Sequence, residues 1–294
     1  MNTGTVPLAP APLAPAHRVP APRAAVGAAP GTRGADLAPG APATIPTALP
    51  GTVPGQYARP GAPPPPQTAA ATPKLGRRAL RREQLATLAA PRRRYSFFAR
   101  LLFVSMDLFY GRRRTLAKFA VLETVARIPY QIWENAAYRL LTRRHRDTAL
   151  AHRIHDRIVE NREQQDNEQW HLLIVGEMVR AQQEAQGTKP GWFRFRFLPL
   201  VLALTYYHLA WLMFVVAPRA SYRLNADFED HAEHEYAQFV EEHPEFETIA
   251  HHSVSARRYG SSGSVADLLR QIGHDERMHK EESERYLEQG RLDR

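Results

Sequence analysis

Four carboxylate positions recur in a fixed order along this chain: Glu123, then Glu168 with His171, then Glu229, then Glu276 with His279. Each falls in a stretch that reads as helix. Residues three apart share a helix face, so one Glu-x-x-His helix can offer a carboxylate and an imidazole to the same ion. Two such helices, plus one carboxylate from each of two more, give six ligands. That is the ligand set of a di-iron carboxylate bundle, and oxygen and imidazole donors suit iron or manganese. The order therefore demands four helices whose faces meet at one point.

The residues around each position support an inward orientation. Val265, Leu268, Leu269 and Ile272 form an apolar stripe that Glu276 and His279 continue in steps of four and three. Ile154, Ile158, Leu172 and Val175 define a stripe through Glu168. Tyr222, Ala226, Ala232, Tyr236 and Phe239 flank Glu229, and Leu116, Ala120 and Ala126 flank Glu123. A buried carboxylate is costly without a partner or a metal. The competing reading is a set of buried salt bridges to arginine, which is abundant here.

Helices are expected over 96–110, 115–141, 150–184, 197–217, 221–242 and 264–288, with Ser264 and Asp267 as a capping box opening the last. Pro190-Gly191 and the segment from Tyr259 to Gly263 mark loops. No strand pattern and no glycine-rich phosphate loop is present. The fold class is all-α: a ferritin-like di-iron four-helix bundle with two additional membrane-associated helices.

The first third of the 294-residue chain has a different character. Residues 1 to about 75 are mostly Ala, Pro, Gly and Thr, which bury too little apolar surface to offset their ordering entropy. Residues 1–90 are expected to be a disordered extension with some polyproline character, and 91–290 the folded domain. Asp36 is the only acidic residue before Glu83, which raises a transit peptide. Such peptides are usually Ser-rich, however, and no Ser precedes Ser96. The segment reads as a bacterial extension, with a transit peptide as the alternative.

The chain has no Cys, which excludes disulfides, thiolate catalysis and iron–sulfur clusters. Its net charge of +9 concentrates at Arg77–Arg82, Arg92–Arg94, Arg112–Arg114 and Arg143–Arg146. Aromatic interleaving and a recognition motif are absent, so no nucleic acid partner is expected. An anionic membrane surface suits these clusters better. The apolar run from Phe97 to Tyr110 contains Arg100 and Asp107 and is too short and polar to span a bilayer. It suits a helix lying in the interface. The run from Phe197 to Ala217 is long enough to span, but a single crossing there would separate Glu168 from Glu229. If the four carboxylates meet, this helix must lie on or in one leaflet, making the protein monotopic.

Three segments resemble signature segments of the alternative oxidases: Leu122 to Pro129 (LETVARIP), Asn167 to Leu173 (NEQWHLL) and Asp275 to His279 (DERMH). Ala217 to Tyr222 (APRASY) and Glu229 to Ala232 (EDHA), followed by Tyr236, look like the plastid terminal oxidase branch. The likeness runs from about Leu101 to Tyr286. It implies a membrane-bound, cyanide-insensitive di-iron quinol oxidase that oxidises ubiquinol or plastoquinol and reduces dioxygen to water without pumping protons. It implies attachment to one leaflet by the first and fourth helices, and a homodimer. By position it makes Glu123, Glu168, His171, Glu229, Glu276 and His279 ligands of two iron ions, and Tyr236 the tyrosine beside them. Asn167, Tyr222 and Asp275 match positions that orient the ligands. The quinol would lie near Lys118, Leu122 and Ala232. Lys118 departs from the family's usual Arg: a cation survives, but a planar two-pronged donor does not. The membrane expected is the bacterial cytoplasmic membrane, with the plastid or mitochondrial inner membrane as the alternative. The rival functions are a di-iron hydroxylase of a quinone precursor and a non-enzymatic membrane-binding scaffold.

Overall fold

The computed structural model describes residues 74–188, 191–251, 253–260 and 263–290. Apart from one isolated bridge between Ala250 and Ser264, the described residues form helices and connections, so the protein is all-α as expected. The helices are α1 (Arg77–Ala89), α2 (Phe97–Tyr110), α3 (Leu116–Ala126), α4 (Ile128–Arg144), α5 (Thr148–Gln186), α6 (Leu198–Val216), α7 (Pro218–Glu242), α8 (Val254–Tyr259) and α9 (Val265–Gln289). A π-turn, Phe193–Phe197, leads into α6, and a 3₁₀ turn, Pro244–Glu247, follows α7.

Local chemistry sets the boundaries. Ser96, Thr115, Asp147, Ser253 and Ser264 each accept a backbone N–H as N-caps. Ser264 and Asp267 form the expected capping box. Gly187 ends α5 with φ +61°, where a side chain would be strained. The helix expected over 115–141 is in fact two, α3 and α4, meeting at Arg127. Pro129 lacks the N–H that would bond back to Val125, so the hydrogen-bond ladder breaks there.

Two helix pairs build the bundle: α7 lies along α9, and α3 with α4 lies along the 39-residue α5. At Gly273 the α7/α9 pair closes tightly, since a Cβ there would sit 3.3 Å from Tyr236 Cβ. One apolar cluster holds Leu122, Tyr130, Trp133, Tyr222 and Ala232; another holds Phe119, Ile174, Tyr236, Leu268 and Ile272. Tyr130 of the first donates to Glu229, and Tyr236 of the second donates to Glu123. A polar layer therefore lies between them.

Residues 77–89, expected to be disordered, are helical and packed. Helix α1 buries only Leu80 and Thr87, so it carries little apolar pattern. It docks on α7 and α9 through polar bonds: Thr87 Oγ1 to Glu233 at 2.7 Å, Gln84 Nε2 to the Ala237 carbonyl at 2.8 Å, and Arg277 Nη1 to Glu83 at 2.5 Å. The expected disorder of residues 1–73 lies outside the described residues.

The basic clusters divide in two. Arg92 and Arg93 are partly buried against Glu235 and Asp227, while Arg77 and Arg81 stay half exposed as they pair with Asp267 and Glu247. Arg94, Arg112, Arg113 and Arg219 remain exposed. Helix α2 exposes Phe97, Leu101, Val104 and Leu108 along one side. Residues 193–216 are long and apolar enough to cross a membrane by length and composition, and little of that stretch is fully buried, although Leu202, Tyr206 and Phe214 pack on the core.

Candidate metal centre

Helices α3, α5, α7 and α9 bring all six expected ligand residues into the polar layer. Glu123, Glu168, His171, Glu229 and His279 are fully buried, and Glu276 is 1% exposed. They form two overlapping quartets. Ligand atoms of Glu123, Glu168, His171 and Glu276 lie within 4.8 Å of one another, as do those of Glu168, Glu229, Glu276 and His279. Glu168 and Glu276 belong to both, so each could serve either of two ions.

These atoms converge on empty points rather than on each other. Glu123 Oε2, Glu229 Oε2, both oxygens of Glu168 and of Glu276, His171 Nδ1 and His279 Nδ1 all lack a hydrogen-bond partner. His279 Nδ1 is 2.5 Å from Glu168 Oε1 and His171 Nδ1 is 3.1 Å from Glu276 Oε1, yet neither pair has the geometry of a hydrogen bond. Buried polar atoms are normally satisfied. Eight orphans around two centres fit two metal ions. Among the described residues, the ion pairs of Glu123, Glu168 and Glu276 run to His171 and His279 and none to arginine, so the salt-bridge alternative fails.

Without metal the layer must hold protons. Burial, reinforced by Glu276 and Glu168, pushes Glu123 well above the usual carboxylate range. Burial, with Glu168 and Glu276, does the same to Glu229. Burial opposes charge on the imidazoles, but the surrounding carboxylates outweigh it and hold both His171 and His279 well above their ordinary pKa. Burial likewise opposes charge on Glu168, and the two imidazoles overcome it, to about 2. Metal binding would release these protons.

A second ring of bonds fixes the ligands. Asp275, also expected from the sequence, lies 3.3 Å from His171 Nε2. An Nε2–H donated to that carboxylate leaves the Nδ1 lone pair for an ion. Asp275 also accepts from Tyr259 and, at 3.2 Å, from Lys74. Its carboxyl is held well below the usual range because His171 and Lys74 outweigh burial. Tyr236 is fully buried, stacks on Phe119 at 4.3 Å and donates its hydroxyl to Glu123. Burial beside Glu123 pushes its phenol well above the ordinary value, so the donor proton stays on. Tyr222 packs edge-on against Trp133 at 4.8 Å and Tyr286 at 5.6 Å. Asn167 Oδ1 is buried without a hydrogen-bond partner.

Several supporting residues went unread in the sequence. Tyr130 donates to Glu229 at 2.7 Å, and Asn225 donates to Glu229 and to Ser283, each at 3.0 Å. Helical spacing held the signal: Tyr130 is seven residues after Glu123, Asn225 four before Glu229, and Ser283 four after His279. Tyr259 and Lys74 carried no such signal, since both sit outside the main helical pattern.

The three residues expected around a quinol lie on facing helices. Lys118 Nζ donates to Asp107 at 2.5 Å and to the Gly111 carbonyl at 3.1 Å, tying α3 to the end of α2. Leu122 and Ala232 are buried in one apolar cluster with Met106 and Tyr110 of α2.

An all-helical bundle with two overlapping carboxylate–imidazole quartets defines a di-metal carboxylate protein. Comparison narrows the class. The alternative oxidase family model matches residues 92–286, and the chain belongs to that family. It is 31% identical over 135 residues to ubiquinol oxidase 4, chloroplastic/chromoplastic, of Arabidopsis thaliana. That match covers 46% of this chain and 34% of the relative, so the chain spans about a third of the curated relative's length. The expected likeness to the plastid branch is met by this chloroplast protein.

Proposed function

We propose that this protein is a membrane-attached di-iron quinol oxidase that oxidises ubiquinol or plastoquinol and reduces dioxygen to water without pumping protons. The pair of quartets sharing Glu168 and Glu276 carries the reading. Glu123, Glu168, His171 and Glu276 would hold one iron, and Glu168, Glu229, Glu276 and His279 the other. Four carboxylate charges balance two divalent ions, which removes the cost of burying either set alone. When bound, the two irons supply electron acceptance and oxygen reduction. Asp275 holds His171 in the tautomer that frees Nδ1. Tyr236, bonded to Glu123, is placed to pass an electron between quinol and site. The tight wall around the layer keeps bulk water and partly reduced oxygen apart.

Quinol is apolar, so its entrance should face lipid. The exposed stripe of α2 and the exposed length of α6 support one-leaflet attachment, since so large an apolar surface is otherwise unfavourable in water. Exposed Arg94, Arg112 and Arg113 at the ends of α2 suit anionic headgroups. A quinol entering beside α2 would reach Lys118, Leu122 and Ala232. The cation of Lys118, already bonded to Asp107, orders that entrance. The reading includes a homodimer, which light scattering tests, and a bacterial cytoplasmic membrane, which fractionation of the source cell tests.

The deciding experiment is oxygen uptake by the iron-loaded protein with a short-chain ubiquinol and cyanide present. Rapid uptake with quinone as the only organic product supports the oxidase. A ring-hydroxylated product moves the reading to a hydroxylase. No uptake and no bound iron leaves a membrane-binding scaffold.

A further inference from the structure

A cavity of about 510 Å³ lies away from the metal centre, between α4, α5, α6 and the start of α7. That volume is within the range of sites for small ligands. Its floor is polar and unsatisfied. Asn161 is fully buried, and neither its amide nitrogen nor its oxygen has a hydrogen-bond partner. One turn earlier on the same face, Arg157 is 6% exposed. Its Nη2 donates to Gln289 at 2.6 Å and its plane covers Tyr286, but Nη1 is buried and unpartnered. Arg139 and Arg143 from α4 line the mouth and form no ion pair among the described residues. No Asp or Glu lines the cavity.

The opposite wall is apolar, built by Tyr207, Trp211, Phe214 and Val215 of α6. Trp211 and Val215 are also 43% and 52% exposed, so the cavity opens onto the bare apolar side of α6. The unpartnered Asn161 Nδ2 and Arg157 Nη1 suit a ligand that supplies acceptors. Arg157 spends its Nε on Glu160 at 3.7 Å, but its Nη1 is left over, and Arg139 and Arg143 have no carboxylate among the described residues; together these guanidiniums select an anion. An apolar wall continuous with a lipid-facing helix selects a chain attached to that anion.

We propose that this cavity binds an anionic amphiphile, its charged head on Arg157 and Asn161 and its acyl chain along α6. A fatty-acid carboxylate and an anionic phospholipid share this chemistry. The proposal does not depend on the quinol reading: none of the six expected metal ligands lines the cavity, and of the residues expected to orient them only Tyr222 does.

Trp133 and Trp211 line the cavity, so bromine-labelled lipids report on it directly. The test uses the full protein in detergent, in a Trp192→Phe background that removes the exposed tryptophan of the π-turn side. Dibromostearate and dibrominated phosphatidylglycerol should quench fluorescence at concentrations about tenfold below their partners without net charge, the methyl ester and the zwitterionic dibrominated phosphatidylcholine. Tighter binding by one anion assigns the source. Arg157→Gln should weaken quenching about tenfold. Because Arg157 also packs on Tyr286, Asn161→Leu is the second variant. It should raise the melting temperature of ligand-free protein, by removing two unsatisfied atoms, while abolishing the shift caused by dibromostearate. Equal quenching by anionic and net-neutral lipids, competition by inorganic phosphate alone, or undiminished binding by Asn161→Leu would overturn the proposal. So would failure of every probe to quench while cross-links place a second copy across this face.

Discussion

Asp275→Asn isolates the contribution of the outer bonds to the metal centre. Asp275 takes donors from His171 Nε2 at 3.3 Å, Gln271 Nε2 at 2.8 Å, Lys74 Nζ at 3.2 Å and Tyr259. Asparagine keeps the shape but loses the charge and turns one acceptor into a donor. If its oxygen stays on His171, its amide meets the amide of Gln271, donor against donor. Gln271 cannot turn without giving up the Leu75 N–H, which its Oε1 accepts at 2.8 Å. His171 is then held less firmly and made less basic. Loss of such a partner typically costs 10- to 100-fold in metal affinity, about 1.4–2.8 kcal/mol. The cost should fall on one position only, because Asp275 touches His171 and not His279. Iron-loaded protein challenged with a ferrous chelator should therefore lose one of its two irons about 10- to 100-fold more readily than wild type, while the second follows later. Circular dichroism should report an unchanged helical content. Release of both irons together at the wild-type rate would refute the role given to Asp275, and equal weakening of both positions would refute the division into two quartets.

Glu276→Ala removes a carboxylate common to both quartets and should abolish oxygen uptake and leave less than one iron per chain by elemental analysis, with the helices intact. Tyr236→Phe removes only the hydroxyl on Glu123, so both irons should remain bound while quinol-dependent oxygen uptake falls at least tenfold; unchanged uptake would remove Tyr236 from the electron path. Replacing Val104 and Leu108 together by Glu should release the protein from anionic vesicles in a flotation assay, since both are exposed on the apolar stripe of α2. Glu247 tests the docking of α1 by pH. Hydrogen bonds from Arg270 and Arg81 hold its carboxyl at about 2, against 4.5 ordinarily. The unfolded chain thus takes up the proton first as pH falls, so the stabilisation is complete above pH 4.5 and is lost between 4.5 and 2. Solvent screening at this partly exposed site leaves about 1 kcal/mol. In urea titrations Glu247→Gln should lose that amount at pH 7 and show a flatter acid limb; an acid limb identical to wild type would sink the assignment.

What the sequence revealed and what it hid follow from the same physics. Helices α2, α5 to α7 and α9 announced themselves because each has an apolar stripe, a capping residue or a glycine stop, whereas the six-residue α8 is too short to show a period and was not expected. The ligands were visible because Glu-x-x-His on an apolar stripe is chemically expensive unless something pays for it. Helix α1 was hidden for the opposite reason. Its thirteen residues carry four arginines and bury only Leu80 and Thr87, so composition placed it with the Pro-rich segment before it. Its partners are acids on α7 and α9, which are distant in sequence, and a charge does not declare whether it faces water or a counterion. Arg92 and Arg93 were assigned outward on that account and lie inward on Glu235 and Asp227. The same limit explains the cavity beside α6. Arg157 and Asn161 are four apart on α5, but only the packing of α4 and α6 around them strips away the water and leaves their donors unmatched. Apolar periodicity is local and legible; the satisfaction of a polar group is a property of the assembled fold.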